Sequence, residues 1–210
     1  MDTKDLIERI YPPYADEIRE AVAVADCHCR EAFARLGRQP EETTSLEDCA
    51  LLYLLIRHFG CRNVFESGTF VGTSAIVMDE AVKKNGGHVL TCDVADNRAL
   101  PKRIKFVHAP GHQAIKLANK VDFAFFDWTP NLRAIVRLWL KSSRHVILAT
   151  HDFCFLYTGK GDVTVRRLRE FFDRRGHWFL PEGAPYTMPD SMQINKCTAF
   201  FVPHRLLAAV

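Results

Sequence analysis

Apolar positions along the first third of the chain recur with the beat of a helix, and those after it with the beat of strands. In "DEIREAVAVADCHCREAFARLG", Ile18, Val22, Ala25, Cys29, Ala32 and Leu36 fall three or four residues apart. The run stops at Gly37, which predicts one amphipathic helix. "SLEDCALLYLLIRHFG" is apolar nearly all round. Ser45 opens it, Asp48 follows three residues later as a capping-box variant, and Gly60 ends it. That pattern fits a buried helix leading into a sheet.

From Asn63 onward the runs shorten. "NVFES", "HVLTCD", "IKFVHA", "VDFAFFD" and "HVILATHD" read as strands, and "VDFAFFD" is apolar on both faces, as in the middle of a parallel sheet. "SAIVMDEAVKKNGG", "PNLRAIVRLWLKS" and "DVTVRRLREFFDRRG" read as helices. "HWFL" and "TAFFVP" close the chain as strands, with a Pro/Gly-containing loop between them. Ten residues, "VADNRALPKR", separate Asp93 from Ile104, too few for a crossover helix, so a single turn or a bare loop is expected there. This alternation predicts the α/β class: a doubly wound, mostly parallel seven-stranded sheet with an antiparallel C-terminal edge hairpin and an N-terminal helical extension. Residues 1–44 form the extension or cap, and residues 45–210 the main domain.

Composition narrows the function. The 210 residues are 48% hydrophobic and 25% charged, as for one globular domain. A net charge of +3 is too small to argue for nucleic acid. No run of 18 apolar residues exists, so no membrane span is expected, and "MDTKDLIERIYPP" lacks the apolar core of a signal peptide. The seven cysteines are odd in number and scattered, which places the protein in a reducing cytoplasm. "CHC" at Cys27–Cys29 invites a zinc reading. Residues two apart on a helix point about 200° apart, however, and no second pair stands at zinc-finger spacing.

Candidate chemistry centres on "VFESGTFVGTS". This turn follows the first strand, where an open α/β sheet binds its ligand, and it opens a helix near Thr73 and Ser74 whose free N–H groups suit an anion. The spacing is G-x-x-x-G, without the middle glycine that brings a dinucleotide pyrophosphate to the backbone. Phe70 and Val71 stand there instead. A smaller carboxylate still fits near Gly68 and Ser74. Asp93 ends the second strand, where a carboxylate accepts from ribose hydroxyls. A ligand with an amino acid at one end and ribose at the other is S-adenosylmethionine. Two other readings stay open: a nicotinamide-dependent oxidoreductase with a degenerate turn, and a non-catalytic module on the same fold.

"FESGTFVGTSA", "VLTCD", "FAFFDW" and "VILATHD", in this order and spacing, resemble the class I S-adenosylmethionine-dependent methyltransferases, nearest the catechol-type and macrocin-type small-molecule O-methyltransferases. The resemblance covers about Ser45 to the C-terminus. It implies methyl transfer to a small molecule, at a hydroxyl oxygen, with no nucleic-acid or membrane partner and a possible homodimer. Glu66 would contact the methionine amine or organise the turn. Ser67, Gly68, Thr69, Phe70, Gly72 and Thr73 would shape it, and Ser74 would bind the carboxylate. Asp93 with Val94 would hold the ribose, and Gly111 with His112 would flank the adenine. Asp127 and Trp128 would lie under the sulfonium.

The resemblance also implies a divalent cation such as magnesium, on Asp127 and Asp152. Phe153 stands where the catechol type has Asn, and His151 where the macrocin type has an acid. The catechol-type lysine that takes the substrate proton is Pro130 here, which leaves His151 and His112 as candidate bases beside Asp127. The arginines of "RRLREFFDRRG" read as a solvated helix face. Tyr186, Met188 and Met192 read as a pocket wall or a plain hairpin loop, and "CFLYTGKGD" as a mobile lid.

Overall fold

A computed structural model describes residues 1–37, 43–96, 100–127, 132–142, 145–151, 170–181, 184–208 and 210. Seven strands form one sheet: β1 (Asn63–Ser67), β2 (His88–Asp93), β3 (Lys105–His108), β4 (Phe123–Phe126), β5 (Ile147–Thr150), β6 (Gly176–Phe179) and β9 (Ala199–Pro203). Their order is β3-β2-β1-β4-β5-β9-β6. The first five run parallel, and β9 lies antiparallel between β5 and β6. The expected edge hairpin is therefore present, with its last strand inserted inward. β7 (Tyr186–Thr187) and β8 (Gln193–Ile194) pair separately in the loop before β9.

Strand alternation splits the core into two layers. Val64, Phe123, Phe125, Ile147, Ala149, Phe200 and Val202 face one way. They meet α1 (Thr3–Ile10), α2 (Ala15–Leu36), α3 (Leu46–His58) and α4 (Thr73–Asn85). Phe65, Ala124, Phe126, Leu148 and Phe201 face the other way, toward α5 (Gly111–Ala114) and α6 (Leu132–Lys141). All four residues of β4 are buried, which is why "FAFF" carries no polar face. A short α7 (His204–Leu207) follows β9. Between β2 and β3 the described residues contain no helix, as the ten-residue link requires.

The N-terminal helices share the core of the sheet. Leu6, Ile7, Ile10, Ile18 and Ala25 are buried in the same cluster as α3 and α4. Glu17 of α2 accepts from Tyr53 Oη and Arg57 Nε of α3, both at 2.8 Å. Tyr186 and Met188, expected as a pocket wall or loop residues, are buried in that cluster. Between them and β9, Asp190 takes the hydroxyl of Tyr11 at 2.8 Å and pairs with Arg19. Cys29 is buried and Cys27 exposed, so the two thiols of "CHC" do point apart. The predicted helix over residues 162–176 and the lid over 154–162 lie largely or wholly outside the described residues. No described helix is long and apolar enough to cross a membrane.

Candidate functional site

The sheet's register sets the site. Ser67 stands opposite Cys92 and Phe126, Cys92 opposite Val107, and Phe126 opposite Thr150. One residue beyond that row, across five strand tips, come His108, Asp93, Gly68, Asp127 and His151. The crevice outside the carboxyl ends of parallel strands is where such a sheet holds its ligand. Gly68, Asp93, Asp127 and His151, all expected from the sequence, thus share one line.

Each glycine around the turn answers to a close approach. Gly68 has φ +105°, and a Cβ there would lie 3.0 Å from Asp127 Cβ. Gly111 opens α5, and a Cβ would fall 2.1 Å from Ser67 Oγ. The tips of β1 and β4 and the turn after β3 therefore meet backbone to side chain. Gly72, at φ +92°, caps α4.

Phe70 and Val71 do not fill the ligand space. With Cys29, Ala32 and Phe33 of α2 they form a separate apolar cluster, and the rings of Phe33 and Phe70 meet edge on at 5.8 Å. His28 Nε2 donates to Val71 O at 3.0 Å. Helix α2 therefore covers the glycine turn from outside. Phe70 takes a left-handed backbone (φ +43°), uncommon for an aromatic residue, and its amide donates to Asp93 Oδ2 at 2.8 Å. Asp93 Oδ1 accepts from Ala95 N at 3.0 Å. Each oxygen of Asp93 keeps a further lone pair.

Beneath the turn lies a buried chain of hydroxyls. Thr91 and Ser74 donate to the two oxygens of Glu66, and Thr69 Oγ1 meets Thr91 Oγ1 at 2.5 Å. Burial pushes the Glu66 carboxyl up to about 8, partly offset by those hydroxyls, and the nearby Asp127 and Asp93 add to the rise. Ser74 thus spends its hydroxyl proton on Glu66. Thr73 Oγ1, also buried, has no hydrogen-bond partner among the described residues. Val94 is exposed, but its carbonyl accepts from His108 Nε2 at 2.8 Å. His112 is exposed on α5. Trp128 and Asp152 lie outside the described residues, so the Asp127–Asp152 pair is not seen together.

At the β4–β5 end the site is ionic. His151 Nδ1 lies 3.0 Å from Asp127 Oδ1, and Thr44 Oγ1 donates to Asp127 Oδ2 at 3.4 Å. His151 Nε2 faces Asp48 Oδ2 at 3.6 Å and Cys197 Sγ at 3.0 Å. Burial works against charge on the imidazole. Hydrogen bonds to Asp127, Asp48 and Cys197 outweigh it and raise the group to about 12. Both ring nitrogens of His151 face acceptors, so the setting favours the protonated imidazole, where the sequence alone suggested a near-neutral base. Asp48 is fully buried, yet His151, Ser45 and backbone amides hold its carboxyl far below the usual range.

Asp48 and Cys197 were not singled out as site residues by the sequence. Ser45 caps α3 as expected, accepting from Asp48 N at 3.1 Å. The Asp48 side chain reaches across instead, and its Oδ1 accepts the amides of Lys196, Cys197 and Thr198 at 3.1, 3.1 and 2.9 Å. Beside Glu47 in the first turn of α3, Asp48 reads as an ordinary helix-start acid, and the one further signal was that the helix it opens is apolar nearly all round. Such an acid needs a partner.

A family model described as O-methyltransferase matches residues 26–158, from within α2 to beyond β5. No curated protein matches the sequence. Among solved structures, a cofactor-bound protein from MTB is 16% identical, with 88% of this chain and 89% of that one covered and a TM-score of 0.60. An O-methyltransferase from Bacillus cereus in complex with SAH is 15% identical, with 95% and 96% covered and a TM-score of 0.55. TomG, an O-methyltransferase from Streptomyces achromogenes involved in tomaymycin synthesis and in complex with SAM, is 15% identical, with 88% and 89% covered and a TM-score of 0.55. At such identities these likenesses speak for the fold.

Proposed function

The chain belongs to the O-methyltransferase family, and we propose that it transfers a methyl group from S-adenosylmethionine to a hydroxyl oxygen of a small molecule. The observation that carries this reading is the line Asp93–Gly68–Asp127 along three adjacent strand tips. It puts a carboxylate with spare lone pairs, a backbone bared by glycine and a second carboxylate within one ligand's span. The groups at this turn fit such a cofactor. Gly68 and Gly111 let the tips of β1 and β4 and the turn after β3 close on one another, since a Cβ at either would strike Asp127 or Ser67, and the buried Thr73 hydroxyl stands at the start of α4 without a partner among the described residues.

In this reading Asp93 takes the ribose hydroxyls, and its grip on Phe70 N fixes it beforehand. The start of α4 receives the carboxylate through N–H groups and Thr73, since Ser74 is engaged by Glu66. The cofactor supplies a methyl group already activated on a sulfonium, so the protein's work is alignment and exclusion of water. Asp127 meets the acceptor hydroxyl and takes its proton. The His151 cation fixes the direction of Asp127. Helix α2 serves as the cover that keeps the turn dry.

A thermal-shift and calorimetry series tests the proposal. S-adenosylhomocysteine should raise the melting temperature and NAD should not. Asp93→Ala should weaken S-adenosylhomocysteine by tenfold or more while the far-ultraviolet dichroism stays unchanged. A folded protein that ignores S-adenosylhomocysteine, or answers to NAD instead, overturns it.

A further inference from the structure

We propose that Asp48, His151 and Cys197 form a three-ligand site for a zinc-class divalent ion, distinct from a magnesium site on carboxylates alone. The three side chains come from α3, the tip of β5 and the segment before β9, and their ligand atoms all lie within 4.8 Å of one another. The facing atoms are 3.0 Å apart from Sγ to Nε2, 3.3 Å from Sγ to Oδ2, and 3.6 Å from Nε2 to Oδ2. A triangle with these sides has a circumradius of about 1.9 Å, so an ion just off its plane lies at zinc bond lengths of about 2.0–2.3 Å from all three atoms.

The surroundings are those of a ligating set. Metal-bound histidine characteristically gives its other ring nitrogen to a carboxylate, and His151 Nδ1 has Asp127 Oδ1 at 3.0 Å. A ligating carboxylate is itself hydrogen-bonded, and Asp48 Oδ1 holds three backbone amides while Oδ2 turns to the cluster. Among the described residues two carboxylates, Asp48 and Asp127, share the imidazole of His151, so an added cation meets net negative charge from these three groups. Nitrogen, sulfur and oxygen donors together suit zinc or cobalt, whereas magnesium demands oxygen. Three protein ligands leave a fourth position, as in sites that bind or activate a small molecule. Binding displaces the protons on Nε2 and Sγ, so affinity should rise with pH.

The test uses the purified full chain, stripped with a chelator and checked by circular dichroism. Zinc chloride titrated by calorimetry should bind one equivalent, and magnesium chloride should give no heat. Cobalt(II) should produce the intense sulfur-to-metal band and tetrahedral visible bands of a thiolate site. Cys197→Ser should abolish that sulfur band and weaken zinc at least tenfold, and Asp48→Asn should also weaken zinc. Cys27→Ser, at the exposed thiol, should change nothing. Absence of zinc binding to the folded chain overturns the inference, as does zinc binding that survives Cys197→Ser or disappears with Cys27→Ser. Binding of S-adenosylhomocysteine, measured separately, reports on the cofactor reading without touching this one.

Discussion

Replacing Asp48 by alanine removes the acid on which three chain segments converge. Its Oδ1 accepts the amides of residues 196–198, and its Oδ2 takes Ser45 Oγ at 2.6 Å. Thr198 N also reaches Asn195 Oδ1 at 3.2 Å, so the substitution orphans two amides rather than three. Those two belong to Lys196, which is exposed, and Cys197, which is half-buried, so each loss lies at the low end of the about 1–3 kcal/mol of a buried orphan. The His151 cation also loses one of its carboxylates, and one-sided loss of a buried pair costs about 3–5 kcal/mol. These costs overlap, so the expected loss is about 4 kcal/mol, a large share of a domain's stability. The substitution Asp48→Asn would keep an oxygen for the amides while turning an NH2 toward His151, at about half that cost. Urea unfolding followed by tryptophan fluorescence at neutral pH measures both variants. Because the Asp48 carboxyl is held below its usual 3.8, its contribution is complete above that value and fades as pH falls through the folded-state value. The advantage of wild type over Asp48→Asn should shrink accordingly in acid. An alanine variant within about 1 kcal/mol of wild type at neutral pH would refute the reasoning.

Glu66 gives a second test. Its raised carboxyl binds a proton more tightly folded than unfolded, so without ligand stability should fall as pH climbs from 4.5 to about 8. A cationic cofactor favours the ionised form, so S-adenosylmethionine should bind with proton release in that window, and its calorimetric heats should differ between buffers of unlike ionisation enthalpy. Identical heats would remove Glu66 from the site. Gly111→Ala drives a methyl into Ser67, costing about 1–3 kcal/mol and at least tenfold in S-adenosylhomocysteine affinity, and Ser67→Gly in the same chain should recover part of both. Phe33→Ala strips the packing from Phe70, costing about 3 kcal/mol in urea unfolding. If affinity for S-adenosylhomocysteine is untouched, α2 does not support the turn.

The strand tips were legible because parallel strands announce themselves as short apolar runs, and an acid at the end of one stands out. Asp93 and Asp127 were found that way, and Gly68 by its turn. The purpose of Phe70 and Val71 was not legible, because it depends on α2 packing onto the turn from 37 residues or more upstream. Asp48 fits a helix start by local rules, and only the fold brings residues 196–198 to it. The role of His151 turned on the same long-range contact. A histidine at a strand tip reads as a base until two carboxylates are found at its two nitrogens.

The single row of strand tips has an evolutionary corollary. Side chains alternate between faces, so deleting one residue within β2 or β4 would swing Asp93 or Asp127 from the crevice into an apolar layer and bring the next residue along the chain, Val94 or Trp128, to the tip instead. New specificities on this framework must therefore arise by exchange of single residues at the tips or by lengthening the segments that follow them, while the strands themselves stay fixed in length.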